Sequence, residues 1–178
     1  MPPKEFEIGY LLTLFNSKLI KFYLKQIANT SGVGTTRWIN IYVKEFPIYM
    51  ANSEQQLKCN DLETSVSANL EKLEAIRLKV VKYTSSQFTL DKLSRKLQNW
   101  HELEFGDFIK ELNKAIKKAG GEKLRKADEM EWMEVFETKK VEAQNLKAEI
   151  NKTDKEIDQM VYELYGLTEE EIQIVENN

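Results

Sequence analysis

Two long stretches of this chain, far apart in sequence, count in sevens, and a repeat of that kind can be satisfied only by long helices lying against other helices. From Ser53 to roughly Lys82, Cys59, Val66, Leu73 and Val80 form one series and Leu62, Asn69, Ile76 and Tyr83 the other. From about Glu129 to Tyr165, Phe136, Ala143, Ile150, Ile157 and Leu164 form one series and Lys139, Leu146, Thr153, Met160 and Leu167 the other. At about 1.5 Å per residue the second helix is roughly 50 Å long, too long for a small globule to bury without a helical partner. The helix from Ser53 is the obvious partner, which predicts an antiparallel coiled coil. Heptads leave open whether that partner lies in the same chain or in a second copy, and the second case makes a homodimer. Asn69 interrupts the apolar seam, and with Thr153 it is expected to form a polar layer that fixes register.

The remaining segments read as shorter elements. Phe6, Tyr10, Leu11, Leu14, Phe15, Leu19, Phe22 and Tyr23 recur at helical spacing, predicting one amphipathic helix from Glu5 to about Ala28. Asn29 to Thr36 holds turn formers and two glycines and reads as a loop, and Arg37 to Val43, aromatic and β-branched, reads as a short strand or hairpin closed by Pro47. Ser53 with Gln56 looks like a capping box for the first long helix, which should break at Thr84-Ser85-Ser86. A short helix from Leu90 to Leu97 follows, then one from Phe105 to Gly120-Gly121, and Asp128 with Glu131 is expected to cap the last long helix. At the end, Gly166 suits a left-handed helix stop, Thr168 and Glu171 form a second capping box, and Leu167 and Ile172 stand at the positions of a hydrophobic staple. The expected fold is mainly α with a small β element: an amphipathic N-terminal helix and short strand, then long antiparallel coiled-coil helices with a helical insert over residues 84–127.

With 42% hydrophobic and 31% charged residues the composition is that of a soluble, helix-rich protein. No apolar run approaches the roughly 18 residues of a membrane span, and the N-terminus has no secretory pattern, so a cytoplasmic location without membrane attachment is expected. The lone Cys59 reads as a structural thiol, and the lone His101, read as a surface residue, excludes a multi-histidine metal site. A net charge of −3 conceals an asymmetry: residues 1–50 carry six basic side chains (Lys4, Lys18, Lys21, Lys25, Arg37, Lys44) and three acidic ones, so they are +3 and the remainder −6. Any polyanion should therefore meet the first part of the chain.

Motifs that would make the chain an enzyme by itself are missing. It has no Asn-Pro-Pro-Tyr-type tetrapeptide for gripping a flipped base, no glycine-rich strand-to-helix loop for a nucleotide or S-adenosylmethionine, and no nuclease-like carboxylate pair with a following lysine in a strand. Glu102, Glu104 and Asp107 gather at a helix start, where capping explains them better than metal binding.

Two stretches carry a resemblance. The ending Ile157-Asp158 through Val161-Tyr162, Leu164-Tyr165-Gly166-Leu167-Thr168 and Glu170-Glu171-Ile172 resembles the I-D-x-x-V-Y-x-L-Y-G-L-T-x-E-E-I tail of bacterial restriction-modification enzymes with a TaqI-like C-terminal specificity domain. Phe15-Asn16-Ser17-Lys18-Leu19-Ile20-Lys21-Phe22-Tyr23 resembles that family's L-N-S-x-L-x-x-F-Y, followed by a glycine-containing loop, a basic aromatic segment and a closing Phe46-Pro47-Ile48. Leu97 to Leu112, and Glu131 to Asn151, look like the helical insert and tail of the same proteins, so the resemblance extends over nearly the whole chain. It implies residues 1–50 as the C-terminal part of a target-recognition unit, and residues 51–178 as a coiled-coil spacer. It also implies a parent type II enzyme with an N6-adenine DNA methyltransferase, often fused to a nuclease. The upstream half of the recognition unit and the catalytic domains, with their S-adenosylmethionine and magnesium, would then lie outside these residues. A separate short gene beginning at Met1 is the alternative.

If the resemblance holds, double-stranded DNA is the partner, together with the parent's methyltransferase and nuclease domains. Gly32 and Gly34 would let the loop backbone approach phosphates, with Ser31, Thr35 and Thr36 as hydroxyl donors and Lys25 and Lys44 as flanking charge. Arg37 is the best candidate for a bidentate guanine contact, while Trp38 and Tyr42 read as core residues. The competing readings are a solvated turn between helix and strand, a coiled-coil module that binds another protein without DNA, and a stand-alone enzyme with an unrecognised site.

Overall fold

The computed structural model describes residues 6–28 and 40–177 and is mainly helical. In order they form α1 (Ile8–Asn16), α2 (Lys18–Ile27), α3 (Asn40–Val43), α4 (Ser53–Gln87), α5 (Arg95–Gln98), a single 3-10 turn (Trp100–Glu102), α6 (Phe105–Lys118), α7 (Lys126–Tyr165) and α8 (Glu169–Glu176). They divide into two compact units, residues 1–67 with 151–178, and residues 68–150.

The α7 series are buried or half-buried as their period implies, whereas on α4 Cys59, Asn69 and Val80 are buried and Tyr83 is exposed. All five residues of the first α7 series, Phe136, Ala143, Ile150, Ile157 and Leu164, are buried, and the second series is half-buried at every position. Within residues 68–150, Asn69 of α4 donates to Glu149 of α7 at 3.2 Å, while Val80 shares a core with Trp132 and Phe136. Rising numbers on α4 thus meet falling numbers on α7, which is antiparallel pairing inside one chain. Asn69 is buried and its amide is held by a carboxylate. Asn69→Leu is therefore expected to raise stability by about 1 kcal/mol through apolar burial, while loosening register. A disulfide cross-linking scan along α4 and α7 should show pairs beyond the native ones; an unchanged pattern would discount the register role.

In residues 1–67 with 151–178, Tyr10 and Leu14 of α1, Ile20 and Leu24 of α2, Phe46, Cys59 of α4, and Ile157, Val161 and Leu164 of α7 make one core. Buried polar atoms lock its layers: Thr13 Oγ1 donates to the Cys59 carbonyl at 3.0 Å, and Tyr10 donates to the Tyr49 carbonyl at 2.6 Å. Cys59 is fully buried, which pushes its thiol up to about 11, as befits a packing residue. In residues 68–150 the core gathers Leu90, Leu93, Leu97, Trp100, Phe108, Leu112 and Ile116 around Val80, Trp132 and Phe136. Lys140, nearly buried, reaches Glu104 at 2.8 Å and lies over the Phe136 ring at 5.6 Å.

Several local expectations change. The single N-terminal helix is two helices, because Ser17 turns the chain: its hydroxyl donates to the Leu14 carbonyl at 2.6 Å and accepts from the Ile20 N–H at 3.3 Å, capping α2. The cap of α4 is Asn52 with Gln55, a reciprocal pair at 2.9 Å each way, rather than Ser53 with Gln56; Gln56 instead serves the Ala51 carbonyl and the Glu7 N–H. No break occurs at Thr84-Ser85-Ser86, since Thr84 Oγ1 donates to the Val80 carbonyl and Ser86 Oγ to that of Tyr83, satisfying the hydroxyls within the helix. Asp128 lies inside α7, where it accepts the Arg125 N–H at 2.9 Å. The short helix begins at Arg95, not Leu90, because Ser94 caps it by accepting the Leu97 N–H.

The strand or hairpin of residues 37–43 is also corrected. Its described part, Asn40–Val43, is one turn of α-helix, and no strand occurs among the described residues. A lone extended segment needs a neighbouring edge for its backbone groups. Here the chain bonds locally instead, Glu45 N–H to the Tyr42 carbonyl and Phe46 N–H to the Val43 carbonyl. The C-terminal signals stand as read: Gly166 has φ +66°, Leu167 N–H reaches the Tyr162 carbonyl, and Thr168 and Glu171 cap α8 reciprocally.

Candidate nucleic-acid interface

Of the residues expected to touch DNA, Ser31, Gly32, Gly34, Thr35, Thr36 and Arg37 lie outside the described residues, as does Trp38. Lys25 and Lys44 are described, and both are exposed. Lys25 stands in the last turn of α2, and Lys44 in the turn just after α3.

The two ends of the intervening segment are fastened by aromatic packing. Phe46 is buried, with Phe15 at 5.8 Å and Tyr23 edge-on at 6.0 Å, and the Tyr23 hydroxyl donates to the Glu45 carbonyl at 3.4 Å. Tyr23 and Glu45 are sequence near-neighbours of Lys25 and Lys44. Lys25 and Lys44 are exposed on either side of residues 29–39 in sequence, while Ala28 and Phe46 are held in the core. Tyr42 is half-buried against the same core, as expected of a packing residue rather than a base-stacking one.

Lys18, counted above among the N-terminal charges, is exposed but already paired. Its backbone N–H donates to Asp158 Oδ1 at 2.8 Å and its ammonium pairs with Glu176, which also accepts from the Tyr162 hydroxyl at 2.8 Å. Glu176 holds the Lys18 ammonium above the usual lysine range, and Lys18, then Tyr162, keeps the Glu176 carboxyl below its own. Burial pushes Asp158 up in spite of the Lys18 N–H and ammonium. This cluster ties α8 to the start of α2 and offsets the Lys18 charge with a carboxylate. The sequence signal was Asp158 within the C-terminal motif, read there as family likeness rather than as a helix cap.

Elsewhere the expected surface histidine is half-buried. His101 packs edge-on to Trp100 at 5.8 Å, its Nδ1 has no hydrogen-bond partner among the described residues, and burial lowers its pKa. No group of three or more histidine, cysteine or acidic side chains that could hold a metal occurs among the described residues, and no described helix is long and apolar enough to cross a membrane.

Residues 1–48 match the TaqI-like C-terminal specificity domain. Residues 52–161, more than half of the sequence, match the family described as Domain of unknown function (DUF8810), and the chain belongs to that family. No curated protein and no solved structure matches the chain. The specificity-domain match stops at residue 48, so the likeness expected over nearly the whole chain is found for its first part only.

Proposed function

We propose that this chain is the non-catalytic target-recognition and spacer portion of a restriction-modification enzyme that methylates adenine N6 in double-stranded DNA. The observation that carries this reading is the match of residues 1–48 to a specificity domain, the part of such enzymes that selects the DNA sequence. The exposed lysines at both roots of residues 29–39 support it, since positive charge beside a glycine-containing segment favours close approach of phosphates.

On this reading residues 1–50 are the C-terminal part of the recognition unit. Gly32 and Gly34 admit the DNA backbone, Ser31, Thr35 and Thr36 donate hydroxyls to it, Lys25 and Lys44 add charge, and Arg37 reads a guanine edge. Residues 51–178 form an antiparallel coiled-coil spacer with its insert at 84–127. S-adenosylmethionine, and the magnesium that a nuclease uses, bind elsewhere in the parent enzyme, which works in the cytoplasm.

Arg37→Ala in the complete enzyme is the test. Binding to the cognate duplex should weaken by about 1–3 kcal/mol, with selectivity relaxed at one base position. Equal loss on every sequence would reduce Arg37 to a phosphate contact, and unchanged binding to all duplexes would remove these residues from the interface.

A further inference from the structure

Residues 90–126 carry ten basic and six acidic side chains, a surplus of +4 in a chain whose total is −3. Seven of the ten basic residues stand just before α5, on α5 or on α6, whereas Lys123 and Arg125 line a different groove. Ser94 caps α5 and Leu97 anchors it in the core, leaving Lys92, Arg95 and Lys96 exposed. On α6 the residues Phe108, Ile109, Leu112 and Ile116 are buried, and Lys110, Lys114 and Lys117 fall on the opposite face, about one turn apart, with Lys118 beside them.

The two sets meet. Lys92 and Arg95 from the α5 side and Lys114 and Lys118 from α6 line one open groove of about 760 Å³. Lys114 donates to Glu111 at 2.7 Å and holds its carboxyl below the usual range, with Lys96 and Lys110 adding to the effect. Three of the six local acids are paired, Glu111 by Lys114, Glu104 by Lys140 and Glu102 by Lys147, while Asp91 stays exposed at the groove edge among four cations. Lys92, Arg95, Lys96, Lys110, Lys117 and Lys118 make no ion pair among the described residues.

The chemistry of the face selects its partner. No large hydrophobic side chain is exposed between Tyr83 and Met130, and Leu90 and Leu93 in the groove are buried, so the face projects none of the aromatic anchors that hold protein interfaces together. A row of flexible point charges at helical-turn spacing suits a repeating anion instead. We propose that the α5–α6 face is a second DNA-binding surface, holding the phosphate backbone of a duplex without regard to its sequence. This rests on the reading of the chain as a DNA-recognition element, but not on Arg37 or the segment around it.

The test is fluorescence anisotropy of the full chain with several duplexes of unrelated sequence across a salt series. Lys92, Lys96, Lys110, Lys117 and Lys118 are changed together to Gln, then the α5 and α6 lysines separately, with far-UV circular dichroism confirming the fold. Lys25, Arg37 and Lys44 are changed to Gln in a parallel variant. The combined insert variant should lose at least about tenfold in affinity for every duplex, and its salt dependence should flatten by about three to four counterions, while the separate sets lose part of each. Unchanged affinity and slope in the insert variants, with loss in the Lys25, Arg37 and Lys44 variant, would overturn the second surface and leave N-terminal recognition standing. A native chain that binds no duplex even at low salt would overturn both. Binding to polyglutamate as tight as to DNA would make the partner an acidic protein and overturn this proposal alone.

Discussion

Trp100→Ala is expected to cost about 4 kcal/mol of folding free energy, at the upper end of what removing a buried aromatic does. Trp100 is fully buried at the hinge between α5 and α6. Its indole stands edge-on to Phe136 at 5.8 Å, and its Nε1–H donates to the Arg77 carbonyl at 3.3 Å, so one side chain joins α4, α7 and the insert. Arg77 adds a second strap from α4, donating to the Gln98 carbonyl at 3.0 Å. Deleting the ring opens a cavity that rigid helices on two sides cannot close, hence the size of the effect. Urea unfolding followed by far-UV circular dichroism gives the measurement. A loss below about 1 kcal/mol would show that the insert is held by its other contacts and that Trp100 is not their hub.

Gly9→Ala should cost about 2–3 kcal/mol, by a different route. A Cβ at position 9 would fall 2.1 Å from Asn60 Oδ1 and 2.8 Å from Asn60 Cα. The amide can rotate away, but the α-carbon belongs to the backbone of α4, so α1 must lift off it. That displacement strains the Thr13 bond to the Cys59 carbonyl, made one turn further along α1. Asn60→Ala made alongside should restore only part of the loss. Full rescue by that second change would trace the clash to the amide alone.

Much of the architecture was readable because long-range burial imposes a strong period. Every α7 position assigned to the first heptad series is buried, and the Gly166–Thr168–Glu171 terminus is decided by local sterics and hydrogen bonds that sequence displays directly. Misreadings arose where two nearby residues could do the same work. Asn52 and Ser53 are equivalent caps on paper, and the choice falls to Asn52 because Gln56 is claimed by Glu7, a residue distant in sequence. Thr84 and Ser86 looked like helix breakers, yet hydroxyls that can return to a carbonyl of their own helix cost little. Arg37 to Val43 has strand-like composition, and composition cannot reveal that no partner edge waits for residues 40–43.

The candidate site was less accessible. Lys25 and Lys44 are exposed as required, but summing charge over residues 1–50 counted Lys18, which the fold turns toward Asp158 and Glu176. The same broad sum spread the basic surplus of residues 90–126 over a strongly acidic remainder and concealed it; a charge count by predicted helix would have shown it. The resemblance drew on Phe15–Tyr23 and Phe46-Pro47-Ile48 as well as on the tail at Ile157–Ile172, and the specificity-domain match at residues 1–48 takes in the first two and not the tail.

That separation in sequence is not one in space. Residues 6–28, matched to the specificity domain, bury Leu14, Ile20 and Leu24 in the same core as Ile157, Val161 and Leu164, and Tyr165 donates to the Pro47 carbonyl at 2.6 Å. A recombination event between two such genes that crossed over near residue 50 would leave both products with half a core. Exchange of the N-terminal segment must therefore carry the last turns of α7 along with it, and the two ends should diversify together.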